Sequence, residues 1–473
     1  MSPNGLVFLN ATAQAELIAS RQISAVELMT AHLDQIERVN PKVNAICTLV
    51  AEPALQAAEQ ADLRQARGEA IGPLHGLPVG IKDLVDTQGI RTTYGSPIYA
   101  NHVPEQDALV VTRYKQAGAI VLGKTNTPEF GAGSQTFNPV FGATCNPYDL
   151  HKTCGGSSGG AGVALACGML PIAQGSDTGG SLRNPAAWSN VVGFRNSAGR
   201  VPVWPSKMGF SALSVTGAMG RTVRDVALQL SVIAGPDPRV PNALQCPADD
   251  FRAALGRDFR GVRVAWSRDL GRYPVEPVIT QVCDAQRGTF ADLGCVVEDA
   301  EPDLQGADES FQTVRAYIFA HRHAEHLTRQ RDKMKQTVIW NAEQGLRLSA
   351  LDVARAEEQR TTLHLQMVAF FKQYEFLCLP TTQVPPFSLE QEYPTEINGQ
   401  PLDTYIDWMG LCYAITMTGC PAISVPCGFT PDGLPVGLQI VGPPHADVAI
   451  LQLAHAFEQA TMFYQRQPPA AAP

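Results

Sequence analysis

Apolar residues recur at helical spacing in the first forty positions. Ser24 and Glu27 form the pattern of a capping box, in which the serine accepts from a backbone N–H and the glutamate reaches back. Met29, Leu33 and Ile36 then share one helical face. Residues 11–40 are therefore predicted to hold two helices, with Pro41 as the stop, and 54–67 to hold another. From Leu77 the texture changes. Pro78 to Val85 is an apolar run broken by Lys82 and Asp83, 107–118 reads as helix, and Ala119 to Leu122 as a buried strand. Further on, Thr222 and Asp225 cap a helix running to Ala234, and 262–266, 276–292 and 295–298 form a strand–helix–strand unit. Residues 306–374 read as mostly helical, 376–379 and 422–426 as short strands, and 448–461 as a closing helix. This alternation predicts an α/β fold: one large domain over 1–473, a central mixed sheet with helices on both faces, and 306–400 as a helical subdomain shaping a pocket.

Two stretches do not fit either period. Residues 124–222 are dominated by Gly, Ser, Thr, Asn and Pro and read as loop, and long ordered loops usually carry function. Within them Val163 to Ala173 is apolar but interrupted by Gly168 and Pro171; it is too short to span a bilayer and reads as a buried helix. The Pro/Ala tail at 468–473 is expected to be disordered.

Composition narrows the function classes. The 473 residues are 45% hydrophobic and 17% charged, a globular balance, with a formal net charge of -9. An acidic chain without a basic run is not expected to bind nucleic acid, because neutralising phosphates takes clustered Lys and Arg. The start lacks a basic segment followed by an apolar one, so no signal peptide and no membrane partner are expected. Eleven scattered cysteines then fit a reduced, cytoplasmic protein.

The densest chemistry lies in two glycine–serine loops, Gly155 to Gly160 and Gly175 to Ser181. Glycines let backbone N–H groups approach a ligand, so Thr178, Gly179, Gly180 and Ser181 can supply donors to an oxyanion while presenting a serine hydroxyl; a pair of tight turns has the same composition. A serine needs an activating base. The His321, His323 and His326 cluster reads as a surface helix rather than a metal site, and His75 and His151 as solvated turn residues. Lys82 interrupts an apolar segment, where a lysine is out of place unless it is functional or snorkels from a strand end. To act as a base it must be neutral, which desolvation favours.

Two motif matches are rejected. Gly118 to Thr125 has the letters of a phosphate-binding loop, but the residues that would form the loop are those of the predicted strand. Gly155-Gly-Ser157-Ser-Gly159 has the letters of a nucleophile elbow, but no buried strand precedes it.

Taken together, Gly155 to Gly160, Gly175 to Ala186, Gly76 to Asp83 with Thr93 to Ser96, Gly199 to Pro202, Cys420 to Pro426 and Gly433 to Gln439 resemble the ordered blocks of the amidase signature family. The resemblance covers nearly the whole chain and is weakest over 236–375. It implies amide hydrolysis through Ser181 as nucleophile, Ser157 as a bridging serine after a cis peptide, and Lys82 as base. It also implies an oxyanion hole from the N–H groups of Thr178, Gly179, Gly180 and Ser181. Asp177 and Arg183 would form a structural ion pair, with Ser158 beside the site, and Gly131 would join Ser157 in lining the substrate pocket. Asn196 stands where many relatives have proline. No metal and no organic cofactor are implied; the partner is a small-molecule amide, such as an aryl acylamide or a carbamate, and the oligomeric state, homo-oligomer included, is left open. The same family contains the amidase component of a tRNA-dependent amidotransferase, and a catalytically inactive binding protein would share the fold. Among Tyr317, Phe319, Trp340 and Met367, most are expected in the core and the rest in the pocket.

Overall fold

The computed structural model describes residues 3–245, 251 and 255–472. Its centre is an 11-stranded mixed sheet. The strands in chain order are β1 (Ile46–Leu49), β2 (Pro78–Lys82), β3 (Ile120–Thr125), β4 (Ile172–Asp177), β5 (Val192–Arg195), β6 (Val215–Gly220), β7 (Arg263–Trp266), β8 (Val296–Asp299), β9 (Phe376–Pro380), β10 (Ala422–Phe429) and β11 (Pro435–Val441). Across the sheet they run β1-β3-β2-β4-β6-β5-β10-β11-β9-β7-β8. The triplets β3-β2-β4 and β9-β7-β8 are parallel, and the strands between them pair antiparallel. The predicted α/β class and mixed sheet are present, and β7 and β8 pair in parallel as the strand–helix–strand pattern requires.

The helices that position the site are α1 (Ala25–Val43), α2 (Gly159–Ala166), α3 (Arg183–Ser189), α4 (Val223–Ile233), α5 (Ala307–Arg329), α6 (Gln336–Arg347), α7 (Ala350–Phe370), α8 (Gly410–Thr418) and α9 (Asp447–Thr461). Both predicted capping boxes form. Ser24 Oγ accepts from Glu27 N at 3.0 Å and Thr222 Oγ1 from Asp225 N at 3.3 Å. Helix α1 runs past Pro41 and stops at Asn44, which takes a left-handed conformation. A proline in the last turn removes a single backbone bond, and here the helix absorbs it.

The loop-like reading of 124–222 is corrected. That stretch supplies β4, β5 and β6, three neighbouring strands of the sheet, together with α2 and α3. The apolar run from Val163 to Ala173 is accordingly not one helix: α2 ends at Ala166, the chain turns through Gly168 at φ +68°, and Ile172 opens β4. Its strands carry small residues because neighbours approach too closely for larger ones. A Cβ on Gly175 would sit 2.6 Å from Leu182 Cδ2 and 2.9 Å from Ser158 Oγ. The helical stretch after 306 ends at Phe370, since Phe376–Pro380 is β9 and belongs to the central sheet, so the 306–400 boundary is too wide. Asn196 lies in the buried turn after β5, whose Ser197 N donates to Asp447 Oδ1 at the start of α9, 2.8 Å away.

The tail is also corrected as far as Ala472, Pro473 lying outside the described residues. Ala470 and Ala471 are buried, Arg38 donates to the carbonyls of Ala471 and Ala472, and Ala470 N donates to Pro147 O at 3.2 Å. No helix among the described residues is long and apolar enough to cross a membrane. Since each of these three hydrogen bonds contributes about 1 kcal/mol, truncation after Gln467 is expected to remove roughly 3 kcal/mol and lower the thermal midpoint by about 3 °C, measured by differential scanning calorimetry. An unchanged midpoint would show that the docked tail contributes nothing.

Candidate active site

Lys82 is the last residue of β2, and Ser176 and Asp177 end the parallel neighbour β4, so all three emerge at the carboxyl edge of adjacent strands. Ser157 and Ser158 lie directly before α2, and the Gly156–Ser157 peptide is cis. Lys82 is fully buried. Its Nζ lies 2.7 Å from Ser157 Oγ, 2.9 Å from Ser158 Oγ and 3.1 Å from Ser176 Oγ. Burial lowers its pKa from 10.5 to about 7, against the pull of the Asp177 carboxylate. A neutral amine offers two N–H donors and one lone pair, which three hydroxyls can match: two accept and one donates. Ser176 was not singled out from the sequence. Its position two residues along the strand from Gln174, whose Oε1 accepts from Lys82 N at 3.2 Å, shows only in three dimensions.

Ser181 sits in the loop between β4 and α3 and is half-buried, facing a cavity of about 250 Å³ that Ser157, Ser176, Thr178 and Gly131 also line. Ser158 N donates to the Ser181 carbonyl at 3.2 Å, which ties the two glycine–serine loops together. Gly131, at φ +70°, passes so close that a Cβ there would lie 3.4 Å from Ser157 Oγ. One member of the expected donor set is already engaged within the loop. Gly180 N donates to Asp177 Oδ1 at 2.9 Å, so it is engaged by the loop itself. Gly180 serves by conformation instead: φ is +116°, and a Cβ would lie 2.7 Å from Asn184 Nδ2.

Asp177 shapes the loop from beneath. It accepts from Leu182 N at 3.1 Å, from Arg183 Nε at 3.0 Å and from Arg183 Nη2 at 3.0 Å. Arg195, which carries no mark in the sequence, donates to Asp177 Oδ1 at 3.3 Å and to its carbonyl at 2.8 Å. Burial opposes the carboxylate's charge, but the two guanidiniums outweigh it and hold its pKa well below the usual range. Arg183 reaches further, to Gln439 Oε1 at 2.6 Å and Thr416 Oγ1 at 2.9 Å, joining the loop to β11 and α8.

Several expectations change. His75 is buried with Nε2 3.2 Å from Ala61 O, so it is not a solvated turn residue. His323 is buried against Phe130 and Phe319 rather than on an open helix face, and burial pushes its imidazole down to about 3. Lys124, the lysine of the rejected phosphate-loop match, is in β3 as expected; its Nζ donates to Thr87 and Thr92 Oγ1, both at 3.0 Å, and pins the 85–92 loop. Of the four aromatic and sulfur candidates, Phe319 lines the cavity, Met367 is in the core, Trp340 packs on Tyr405, and Tyr317 faces a separate surface hollow.

The Amidase family profile matches residues 27–451. The chain belongs to the amidase family. It is 36% identical to an acylamidase of Rhodococcus erythropolis, covering 99% of this chain and 98% of that one. It is 35% identical to a glutamyl-tRNA(Gln) amidotransferase subunit of Moorella thermoacetica, covering 98% and 99%. The crystal structure of a bacterial aryl acylamidase of the amidase signature family superposes with a TM-score of 0.92 at 30% identity, over 98% of this chain and 99% of the other. In this amidase-family chain the charge cluster under the loop gives a direct stability test. Asp177→Asn would leave two buried guanidiniums without their counter-ion and is expected to cost about 3–5 kcal/mol by denaturant unfolding. Ser181→Ala, at a half-buried hydroxyl, should stay within about 1 kcal/mol of the parent. Equal stabilities for the two variants would refute the anchoring role of Asp177.

Proposed function

We propose that this amidase-family protein hydrolyses a carboxylic amide through an acyl-enzyme on Ser181. The observation that carries the reading is Lys82 Nζ, buried and held near neutral pKa, 2.7 Å from Ser157 Oγ beside the cavity that Ser181 faces. Neutral Lys82 takes the Ser157 proton as Ser157 takes that of Ser181, and Ser181 Oγ attacks the carbonyl carbon. The oxyanion is met by the N–H groups of Thr178, Gly179 and Ser181. The proton then returns through Ser157 to the leaving nitrogen, which departs poorly as an anion, the amine leaves, and water resolves the remaining ester by the same relay to give the acid and free Ser181. Leu84, Val201, Met208, Leu213 and Phe319 line the cavity and suit an apolar or aryl group, in keeping with the acylamidase relatives.

A second reading, an amidotransferase component releasing ammonia from glutamine, is favoured by the full-length 35% identity to such a protein. Turnover of simple anilides by the protein purified alone supports the first reading; turnover of glutamine alone, and only after a partner is added, supports the second.

Ser181→Ala is expected to lower turnover of an anilide by about 10⁴-fold and to abolish labelling by a serine-directed fluorophosphonate. Retained labelling would place the nucleophile elsewhere. Because the base must be neutral and its pKa is about 7, kcat/KM should rise with pH through about 7 and level off above it. A profile that is flat or falls across that range would exclude Lys82 as the base.

A further inference from the structure

The cavity has a charged side that the relay does not use. Helix α5 turns Arg315, Ile318, Phe319 and Arg322 toward it, positions spaced i, i+3, i+4 and i+7 and so on one helical face. Two guanidiniums therefore stand two turns apart, about 10 Å along the axis, with apolar side chains between them. Among the described residues no aspartate or glutamate lines the cavity, in a chain whose net charge is -9.

Arg315 is the sharper observation. It is 5% exposed, and among the described residues its Nη1 has no hydrogen-bond partner. Its guanidinium lies over the Phe319 ring at 4.4 Å and near the Tyr405 ring at 5.3 Å, which fixes the plane without satisfying that donor. The neighbouring carboxylates are committed elsewhere: Glu129 accepts from Ser96 Oγ at 2.6 Å and Lys335 N at 2.7 Å, and Glu392 pairs with Lys335 Nζ at 2.8 Å. The Tyr405 hydroxyl accepts from Asn341 Nδ2 at 2.9 Å and also interacts with the Arg315 guanidinium, which still leaves Nη1 without a partner among the described residues. One turn before Arg315, Phe311 packs on Gly179, where a Cβ would come within 2.8 Å of the ring, so the helix is held against the nucleophile loop. A buried guanidinium N–H left open costs free energy unless something accepts from it, and a carboxylate matches the planar fork best.

We infer that the substrate is an amide bearing a carboxylate, which Arg315 binds in the cavity and Arg322, exposed at the outer end of the same stripe, attracts. This rests on the amide hydrolysis proposed above. The carboxylate can sit on the acyl part, as in a dicarboxylic half-amide, or on the amine part, as in an acylated amino acid. Either makes the substrate an apolar body with one anionic end.

The test compares matched substrates. One pair is the 4-nitroanilides of glutaric and pentanoic acids, charged and neutral on the acyl side. The other is 4-(hexanoylamino)benzoate and hexanoylanilide, charged and neutral on the amine side. The wild-type protein is expected to show a kcat/KM on the order of 10-fold or more higher for the charged member of one pair, and which pair shows it identifies the side. Arg315→Met should reduce that charged-to-neutral ratio about 10-fold, and Arg315→Lys should restore part of it. Should Arg315→Met fail to fold, Arg322→Gln at the exposed position is expected to lower the ratio about 3-fold and to weaken its dependence on salt. An active wild-type protein that turns over the neutral member of both pairs equally well or better overturns this inference and leaves amide hydrolysis standing. A ratio unmoved in the folded Arg315→Met or Arg322→Gln variants overturns it as well. A wild-type protein inert on every substrate and unlabelled at Ser181 overturns the proposed function itself.

Discussion

Removing one ammonium group from water is the constraint around which the site is arranged. Lys82 is fully buried, and among the described residues no carboxylate pairs with its Nζ; three serine hydroxyls surround it instead. A carboxylate at hydrogen-bond distance would stabilise the charged form and remove the base that the proposed relay requires. Hydroxyls satisfy the nitrogen's hydrogen bonding in either protonation state and leave desolvation to set its pKa. Asp177 acts on the lysine only from beyond hydrogen-bond reach, and its own charge is already committed to Arg183 and Arg195. Two buried arginines beside that carboxylate thus serve the loop's shape and also shield Lys82 from being held protonated.

The same separation explains the backbone around Ser181. An oxyanion site needs N–H groups that the protein itself does not use. Asp177 takes the N–H groups of Gly180 and Leu182, which fixes the turn, and leaves those on either side of Gly180. Ser158 ties the second loop to the first through the Ser181 carbonyl, so the two glycine–serine segments act as one rigid unit. Arg183 extends the unit to β11 and α8, elements contributed by the last quarter of the chain.

Facing this arrangement of charges is a cavity to which α5 contributes one side. The lining divides by chemistry: hydroxyls and backbone donors at the reacting end, apolar side chains in the middle, and guanidiniums along the helix. In the proposed reaction the first part faces the bond that is cleaved. The rest faces what would hang from that bond in the proposed reaction.

The glycine–serine loops, Lys82 within its apolar run and the order of the blocks were all legible along the chain, because each departs from what a plain strand or turn would contain. Capping boxes and the parallel β7–β8 pair were legible for a similar reason: their signals are local. Residues 124–222 misled, since strands β4 and β6 are rich in small residues that close packing demands, and small residues read as loop when neighbours are unknown. Ser176, Arg195 and Arg315 carry no local mark. A serine in a strand and an arginine in a helix become functional candidates only when folding buries them beside a particular partner, or beside none. Burial and partnership are properties of contacts between residues far apart in sequence, and those contacts exist only once the sheet has assembled.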